Sequence, residues 1–518
     1  MSRHLASYLF DAASLWGERA ACADASGTHS YNDYLNEALR VAALLRRAGV
    51  EAGDRVCISA PKSFSLYASL FGTLMLNACY VPIDYTVPAG RGRKIIADCA
   101  PAALITTKRN LERLLGGNPA APAEHISEEL LIAPIGGWPP LPADGLSGLP
   151  PAPDSLDPAS PAYILYTSGS TGEPKGVVHT HLSAVAFVEW AVGELGIDQD
   201  DIIAQVASVS FDLSVFDVFG AARTAAQLAP MHESAMISPI TLCRAIAKAK
   251  TTVLYCVPSL LLREIKSHEL GWAELGSGSL RHIVFAGEPI NHKALCRFRP
   301  YAPEVELHNW YGPTETNVCC YHRITDTDIA GEDSIPIGRA CAYAQLSYLW
   351  DAPQGAEAGE LLVAGASLMT GYWNRDEATE RAMYRDASGT RFYRTGDFVR
   401  HNAQGELIFL GRRDRQVKVQ GRRIQLDEIE STLQKHFASA EIACTLIKQD
   451  GADPCIVAAI AGAAGAGDEV KRLVEDQLPL FMWPERIFAL EALPRNERGK
   501  IDYDALTRVL AAEYQRLR

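Results

Sequence analysis

Two kinds of segment alternate over residues 30–110 of the chain. The stretch YNDYLNEALRVAALLRRAG (31–49) repeats its apolar positions at helical spacing, whereas DRVCISA (54–60) and ALITT (103–107) are short apolar runs. Alternation of this kind is typical of βα units on a mostly parallel sheet. The first part of the chain is therefore predicted to be α/β.

Residues 63–83 form a long run without any charged side chain. The run is long enough to cross a bilayer. It contains several serines, Gly72, Asn77 and Pro82, however, and it ends in the strand-like CYVPID (79–84). We therefore predict a buried helix that leads into a buried strand, and no membrane span.

The pattern changes twice more along the chain. Residues 115–160 are rich in Pro, Gly and Ala and are predicted to form an irregular surface connection. Strand–loop–helix units then resume, and short strands and turns such as GELLVAG (359–365) and GELIFLG (405–411) follow. An amphipathic helix is expected from Leu426, with Ile429 and Leu433 on its apolar face. The strand candidates between these regions are AYILYTS (162–168), IIAQVAS (202–208), TTVLYCV (251–257) and RHIVFAG (281–287).

Size and charge narrow the class of protein. A chain of 518 residues with 48% hydrophobic composition is expected to form two or more domains, because single cores stop growing near ~250–300 residues. Its formal charge of −13 disfavours nucleic acid and anionic membranes as partners, since both require clustered Lys and Arg. A phosphate ligand is not excluded, because a local loop can bind one whatever the net charge is.

The cysteines and the N-terminal segment point to the cytoplasm. The twelve cysteines show no C-x-x-C pair and no histidine spacing typical of a zinc site, so free buried thiols in a reducing compartment are expected. The first residues carry Asp11 within their apolar stretch and lack a signal-peptide pattern.

A glycine-rich loop gives the strongest local signal for phosphate binding. YTSGSTGEPKG (166–176) follows a predicted strand, and its glycines can turn backbone N–H groups toward an anion. It is not a Walker A loop, because Pro174 and Gly176 flank the lysine. A flexible surface loop is the alternative interpretation. The predicted phosphate ligands are Thr167, Ser168, Gly169, Ser170, Thr171, Gly172 and Lys175.

Six motifs in a fixed order resemble the adenylate-forming superfamily of acyl-CoA synthetases, luciferases and peptide-synthetase adenylation domains. The motifs are YTSGSTGEPKG (166–176), FDLSVFD (211–217), NWYGPTET (309–316), YRTGDFVR (393–400), GRRDRQVKVQGRRIQLDEIE (411–430) and LPRNERGKID (493–502). The resemblance implies a large N-terminal domain (1–413) of parallel-sheet βα subdomains plus a β-rich subdomain. A small, mobile α+β C-terminal domain (414–518) is implied to follow.

The resemblance also implies ATP and Mg²⁺ as cofactors. Asp397, in a TGD turn, would accept the ribose hydroxyls, and Arg412 would donate to ribose or phosphate. Glu315 is a hard oxygen ligand suited to Mg²⁺, and the Thr314 hydroxyl would meet the α-phosphate. Exposed ion pairs are the alternative for Glu315 and Arg412. The remaining nucleotide residues implied by the resemblance are Gly287, Glu288, Asn309, Tyr311 and Phe409.

Lys500 is implied to be the catalytic lysine, bridging the substrate carboxylate and the α-phosphate. Two anions must meet as charge builds at phosphorus, so a cation is needed there. Asp414 would be the hinge for a rotation that removes Lys500 after adenylation. Lys418 and Gly421 would then line the tunnel for the incoming thiol.

Asp212 indicates that the activated acid is an amino acid. A buried carboxylate needs a cationic partner such as an α-ammonium group, although helix capping is an alternative for this residue. The implied pocket is small and apolar, and it is similar to those of prolyl-AMP ligases of pyrrole-forming pathways. Trp310 departs from the smaller aliphatic residue usual there, which keeps alanine and glycine as alternatives to L-proline. The other pocket positions are Leu213, Phe216, Tyr255, Val284, Ala286, Val318 and Cys319.

The predicted partner is a separate peptidyl carrier protein with a phosphopantetheine arm. No GGxS-like carrier segment is present, and LPRNERGKID lies near the end of the chain, so delivery in trans is expected. The predicted function is ATP-dependent activation of a small amino acid and its transfer to that carrier, as in nonribosomal peptide and antibiotic biosynthesis. The alternatives are a coenzyme A acceptor, an acyl- or aryl-CoA ligase, and a catalytically silent nucleotide-binding protein on the same fold.

Overall fold

The structure, a computed structural model, describes most of the chain. The described residues are 4–114, 131–135, 156–169, 173–262, 268–276, 278–331, 334–350, 358–412, 415–419, 421–437, 440–448, 454–462, 467–496 and 500–517.

Seventeen α-helices occur among the described residues. In chain order they are α1 Leu5–Trp16, α2 Tyr31–Arg47, α3 Phe64–Met75, α4 Ala89–Cys99, α5 Lys108–Leu114, α6 His181–Leu195, α7 Leu213–Val215, α8 Ala221–Thr224, α9 Pro239–Lys248, α10 Pro258–Leu262, α11 His268–Gly276, α12 His292–Phe298, α13 Asp326–Ala330, α14 Asp376–Ala382, α15 Leu426–Gln434, α16 Gly467–Gln477 and α17 Tyr503–Arg516. A π-helical turn, Phe216–Gly220, joins α7 to α8.

The strands of the described residues number twenty-six. They are β1 Ala20–Asp24, β2 Gly27–Ser30, β3 Arg55–Ser59, β4 Cys79–Pro82, β5 Ala103–Thr106, β6 Leu131–Pro134, β7 Pro161–Thr167, β8 Lys175–Thr180, β9 Ile202–Gln205, β10 Gln227–Pro230, β11 Val253–Cys256, β12 His282–Ala286, β13 Glu306–Tyr311, β14 Cys320–Ile324, β15 Arg339–Ala340, β16 Ala344–Trp350, β17 Ala358–Gly365, β18 Gly371–Tyr372, β19 Met383–Arg385, β20 Arg391–His401, β21 Leu407–Arg412, β22 Gln416–Val419, β23 Arg422–Gln425, β24 Glu441–Ile447, β25 Cys455–Ala461 and β26 Arg486–Leu490.

Two large sheets with parallel centres confirm the predicted α/β class. One has the order β18-β8-β7-β4-β3-β5-β6, and the other has the order β15-β14-β13-β12-β11-β9-β10-β1-β2. In the second sheet β9, β11, β12 and β13 run parallel, so their carboxyl ends meet at one edge. Ligands of open α/β sheets bind at that kind of edge.

The helix α3 confirms the prediction for the uncharged run. Nearly all its side chains are buried, Ser63 caps its N-terminus, and β4 follows it as a buried strand. Within the described chain, no helix combines the length and the apolarity that crossing a bilayer requires.

Two expectations about irregular segments are wrong. β6 pairs in parallel with β5, so part of the expected surface connection is an edge strand of the first sheet. The rest of residues 115–160 lies largely outside the described residues. Asp397 does not lie in a turn but inside β20, next to a bulge at Phe398, because the pairing of β20 with both β17 and β21 carries the chain straight through this segment.

The C-terminal part contains sheets and hydrophobic clusters of its own. β22 and β23 form a two-stranded hairpin, and β24, β25 and β26 form a three-stranded sheet. The predicted amphipathic helix is present as α15, whose Leu426, Ile429 and Leu433 are buried against that sheet. Asp414 lies outside the described residues, and the domain division at 413/414 stays a prediction.

Candidate active site

A cavity of about 120 Å³ lies where the second sheet faces the hairpin β22–β23. Its walls combine the carboxyl ends of β7, β11 and β12, the turn after β13, and the hairpin. Five of the six motifs contribute residues to it, although these motifs are far apart in the sequence. The predicted residues that line it are Thr167, Ser168, Asp212, Leu213, Tyr255, Ala286, Gly287, Thr314, Val318, Asp397, Arg412, Lys418 and Gly421.

Asp212 presents its carboxylate to this cavity. It directly precedes α7 and makes no side-chain hydrogen bond of the usual capping geometry to that helix, although the neighbouring Leu213 N–H acts to lower the pKa of its carboxyl. Burial raises the pKa of Asp212, and a hydrogen bond from the Thr314 hydroxyl and the charge of Lys418 oppose that rise. A cation bound in the cavity would stabilise the ionised carboxylate.

The predicted amino-acid pocket separates into a wall and a layer behind the wall. Leu213, Tyr255, Ala286 and Val318 line the cavity, whereas Phe216, Val284, Trp310 and Cys319 are buried but do not line it. The Phe216 and Trp310 rings pack edge-on against Tyr255, with centroids 5.9 and 5.3 Å from its ring. These bulky rings therefore hold Tyr255 in place and do not fill the cavity themselves.

The phosphate loop is described at its two ends. Thr167 ends β7, and its hydroxyl is buried without a hydrogen-bond partner among the described residues. Ser168 is buried and donates to the Arg423 carbonyl oxygen at 2.6 Å, and Gly169 follows it. Ser170, Thr171 and Gly172 lie outside the described residues. An orphaned hydroxyl at the cavity wall suits a phosphate oxygen.

Glu315 is the centre of a buried charged cluster. Its carboxylate lies 2.6 Å from Arg423 Nη1 and 3.5 Å from Lys175 Nζ, and Tyr372 donates to it at 2.7 Å. Burial alone would raise the pKa of Glu315, but Arg423 and Lys175 outweigh burial and lower it well below the usual range. The carboxylate is therefore ionised, as a metal ligand must be.

Asp397 is held by two neighbours beneath the cavity. Tyr311 donates its hydroxyl to one carboxylate oxygen, and Arg412 donates to the other. Arg412 also donates to the Thr395 carbonyl oxygen at 2.8 Å. This arrangement fixes the carboxylate and leaves lone pairs of both oxygens for further donors.

The residues predicted around adenine meet in a second cavity of about 90 Å³. Tyr311 and Phe409 face each other there, with ring centroids 6.4 Å apart and planes tilted by 38°. Asn309 donates to the Pro336 carbonyl oxygen at 2.7 Å, so its amide is already oriented. The predicted residues that line this cavity are Gly287, Glu288, Asn309, Trp310, Tyr311, Phe409 and Lys418.

Among the described residues, the hairpin faces the cavity and Lys500 does not. Lys418 lies 5.4 Å from the centre of the Tyr311 ring, and burial lowers its pKa. The Gly421 N–H donates to Glu288 Oε1 at 2.5 Å; a Cβ at Gly421 would lie 2.0 Å from a Val257 methyl, so only glycine fits there. Lys500, in contrast, is exposed and does not line the cavity.

A third cavity of about 260 Å³ adjoins the first one. The two share Phe211, Leu213, Gly421 and Arg422 in their walls, and the third cavity extends between α9 and α10. The third cavity is also lined by Ile237, whose side chain is exposed, so it lies close to the surface.

A histidine cluster at the opposite end of the second sheet is a poor cation site. His282 Nδ1 and His308 Nε2 lie 3.3 Å apart, with Glu306 Oε2 3.6 Å from His282. Glu306 is already paired with Arg323 at 2.7 Å, and burial lowers the pKa of His282, with Arg281 and Arg323 adding to this effect and Glu306 and Asp201 opposing it. We interpret the pair as hydrogen-bonded neutral imidazoles.

Sequence reasoning missed Phe187, Arg422 and Arg423. Phe187 lines the main cavity from α6, a helix without any motif, so nothing in the sequence marked it. Arg422 and Arg423 stand inside the recognised motif at 411–430, and their signal was two adjacent arginines next to a glycine at a predicted tunnel.

Comparisons with known proteins give matches over most of the chain. Residues 9–373 match the family described as "AMP-binding enzyme". The chain is 34% identical over 496 residues to an L-proline--[L-prolyl-carrier protein] ligase of Streptomyces coelicolor, covering 92% of this chain and 91% of that protein. An enzyme of the same description from Pseudomonas fluorescens is 35% identical over 476 residues, covering 90% and 91%. Among solved structures, holo-PA1221, an NRPS protein containing adenylation and PCP domains, aligns with a TM-score of 0.80 at 25% identity, covering 98% of this chain and 84% of that one.

Proposed function

This chain belongs to the AMP-binding enzyme family, and we propose that it activates a small amino acid, L-proline, with ATP and transfers it to a carrier-protein thiol. The reaction has two steps. The amino acid and ATP give aminoacyl-AMP and pyrophosphate, and the phosphopantetheine thiol of the carrier then displaces AMP to form a thioester.

One observation carries the proposal. A single cavity joins the carboxylate of Asp212, which accepts from the Thr314 hydroxyl, to that hydroxyl and to the fixed carboxylate of Asp397. An α-ammonium group, an α-phosphate and a ribose follow one another in aminoacyl-AMP in the same order. Holding the reacting groups in line accounts for much of the rate enhancement in such reactions.

In the first step the residues bind, orient and neutralise charge. Asp212 pairs with the α-ammonium group, Tyr311 and Phe409 contact adenine, and Asp397 accepts from the ribose hydroxyls. The substrate carboxylate attacks the α-phosphorus, and the P–O bond to pyrophosphate breaks. No base is needed, because the carboxylate is already a nucleophile; Lys500 is assigned the role of bridging the two anions in another orientation of the C-terminal part.

Mg²⁺ fits the cluster around Glu315. The carboxylate is buried, ionised and surrounded by cations, which marks it as the anionic ligand of this site. When bound, the metal would neutralise phosphate charge. In this orientation Arg423 contacts one oxygen of Glu315 and Tyr372 donates to the other, and a bound Mg²⁺ would need one of these oxygens as its ligand.

The second step uses the orientation seen here. The hairpin β22–β23 covers the cavity, Lys418 lies beside Tyr311, and Gly421 stands where the main and third cavities meet. The thiol would enter through the third cavity and attack the acyl carbonyl carbon. The C–S bond forms as the C–O bond to the AMP phosphate breaks, AMP leaves, and the thiol proton passes to bulk water. A hinge at Asp414 between domains 1–413 and 414–518 is proposed to exchange the two orientations.

L-Proline is the proposed substrate because the cavity is small and its amino-acid end is apolar. The wall of Leu213, Tyr255, Ala286 and Val318 carries no second charge to match an acidic or basic side chain. In the sequence, Trp310 kept alanine and glycine as alternatives to proline. In the structure it lies behind Tyr255 and does not line the cavity. The two proline ligases named above support the same choice. The twelve free cysteines suit a reducing cytoplasm as the place of action.

Amino-acid-dependent ATP–pyrophosphate exchange tests the proposal. The panel contains the twenty standard amino acids, pipecolate, and several fatty and aryl acids. A dominant L-proline signal is expected. Preference for alanine or glycine would overturn the substrate and keep the reaction, and activity with fatty or aryl acids alone would favour an acyl- or aryl-CoA ligase.

A further inference from the structure

The side chain of Arg422 is clamped between two aromatic rings at the junction of the cavities. Its guanidinium carbon lies 4.5 Å from the centre of the Phe211 ring and 4.1 Å from the centre of the Phe481 ring. Its Nη2 lies 3.6 Å from Asp84 Oδ2, and Asp84 is only 9% exposed. Thr86 donates to the other carboxylate oxygen of Asp84, Oδ1, so Oδ2 is the oxygen that faces Arg422.

These partners belong to two different parts of the molecule. Phe211 and Asp84 come from the two large sheets, next to Asp212 and just after β4, whereas Arg422 and Phe481 come from the C-terminal part. The contacts of Arg422 with Phe211 and Asp84 therefore exist only while the hairpin covers the cavity, whereas its contact with Phe481 lies within the C-terminal part. A guanidinium that packs between two rings is attracted to both of them, and the attraction is stronger where it is partly shielded from water, as Arg422 is at 25% exposure.

Its neighbours also dock the hairpin, but each of them has another role. Gly421 binds Glu288 at the edge of the adenine cavity, and Arg423 binds Glu315, the proposed metal ligand. Arg422 has no counterpart on any substrate in the proposed reaction. Its contacts with Phe211 and Asp84 thus depend on the orientation and involve no group of the amino acid or the nucleotide.

We propose that Arg422 is a positioning residue that holds the C-terminal part in the thioester-forming orientation. The inference rests on the proposed function. It predicts that loss of Arg422 slows the transfer step and spares adenylate formation, which takes place in the other orientation with Lys500 in the site. Because the side chain also stands between the main and third cavities, the same clamp shapes the thiol route.

The test separates the two half-reactions in Arg422→Ala. Transfer from preformed aminoacyl-AMP to a phosphopantetheinylated carrier, measured in a single turnover, should slow about tenfold, which equals about 1.4 kcal/mol. ATP–pyrophosphate exchange should stay within about threefold of the wild-type value. Arg486→Ala is the matched control, because Arg486 is exposed and its ring contact, Tyr514 at 5.9 Å, lies within the C-terminal part.

Phe481→Leu provides a second variant that keeps both charges and removes one face of the clamp. It should show the same selectivity with a smaller effect, and Arg422→Lys should restore transfer only in part, since lysine keeps the charge but not the planar group. Equal losses in both half-reactions, or wild-type transfer in Arg422→Ala, would overturn the proposal.

Hydrogen–deuterium exchange of the substrate-free protein tests the clamp without any activity. Arg422→Ala should raise exchange in β22 and β23 while the exchange of β24 and β25 stays as in the wild type. Unchanged exchange in the hairpin would contradict the clamp even if proline proves to be the substrate. Raised exchange in a protein that activates no amino acid would uphold the clamp and overturn the proposed function.

Discussion

The two walls of the active-site cavity are built in different ways. The sheet wall rests on buried packing, in which Phe216, Tyr255 and Trp310 pack edge-on in the core that lies behind the amino-acid end. The hairpin wall is held by polar contacts across the cavity, chiefly Arg423 with Glu315, Gly421 with Glu288, and Ser168 with the Arg423 carbonyl.

The difference matches two separate tasks. The sheet wall recognises the substrate, and the hairpin wall changes between the two reaction steps. Dense packing tolerates little rearrangement, so the sheet wall can define one substrate shape. Ion pairs taken out of water contribute little net stability, because the cost of desolvation offsets most of their attraction. The hairpin contacts can therefore be exchanged for others at small cost, which suits a wall that has to leave between two steps.

The sharpest test of the comparison is Lys500→Ala. If the hairpin and the Lys500 loop take turns at one site, this change should slow adenylate formation by ~10²–10³-fold and leave transfer from preformed aminoacyl-AMP nearly intact. ATP–pyrophosphate exchange and single-turnover transfer measure the two quantities. The exposed Lys471 gives the control variant Lys471→Ala, and near-normal exchange in Lys500→Ala would contradict the assigned role.

The sheet wall is tested next by Asp212→Asn. Loss of the carboxylate should lower kcat/KM for the amino acid by about 10²-fold, the scale for removing one partner of a buried charge pair. Asp217→Asn is the matched control in the same motif, because Asp217 is fully buried and does not line the cavity, and burial raises the pKa of its carboxyl. Similar losses in both variants would mean that Asp212 acts through the fold.

Trp310→Leu asks whether the layer behind the wall sets substrate size. With less support, Tyr255 can retreat, so exchange with larger amino acids should rise about tenfold relative to proline while stability falls by about 1–4 kcal/mol. Trp272→Leu removes a buried tryptophan from the other side of the second sheet and should cost similar stability without changing the preference. Denaturant unfolding and the exchange panel give the two readouts, and an unchanged preference in Trp310→Leu would show that Tyr255 alone sets the size.

The smallest expected effect is a difference in acid sensitivity between the two parts. Burial lowers the pKa of His4 and of His179 to about 4 in the large part. In the unfolded chain a histidine has a pKa near 6.5. The two histidines therefore contribute their full share to the free energy of unfolding above pH 6.5, and this share is lost as the pH falls from 6.5 toward 4.

For each of these histidines, lowering the pH from 7.5 to 5.0 should reduce the free energy of unfolding by about 2 kcal/mol. Calorimetry should show a fall in Tm over this range that His179→Gln reduces, whereas replacing the exposed His436 of the C-terminal part should leave the slope unchanged. An equal slope in the wild type and in His179→Gln would contradict the assignment.

The sequence predicted the strands and helices well where apolar runs are long. The runs that became β3, β5, β7, β9, β11 and β12 were correctly placed, because a buried strand between turns leaves a clear pattern. β6 was missed because it is short and lies among prolines and glycines. The sequence also did not predict that β20 pairs with both β17 and β21, because the TGD triplet on its own is typical of a turn.

The active site also has features that the sequence predicted and features that it did not. Motifs fixed which residues meet, including Asp212, Thr314 and Asp397 at one cavity. They could not show that Trp310 supports the wall from behind, because a side chain's depth depends on neighbours far along the chain. Phe187 was missed for the same reason, and Arg423 was missed because its partner, Glu315, lies in another motif.

The most direct test of the central claim is the loading of a carrier protein, followed by intact-protein mass spectrometry. The chain is incubated with ATP, Mg²⁺, L-proline and a peptidyl carrier protein in its phosphopantetheinylated and its unmodified form. The account predicts that one prolyl group is added to the phosphopantetheinylated form only, and that hydroxylamine removes it as expected for a thioester. Prolyl-AMP formation without any loading, or transfer to coenzyme A in preference to the carrier, would contradict it.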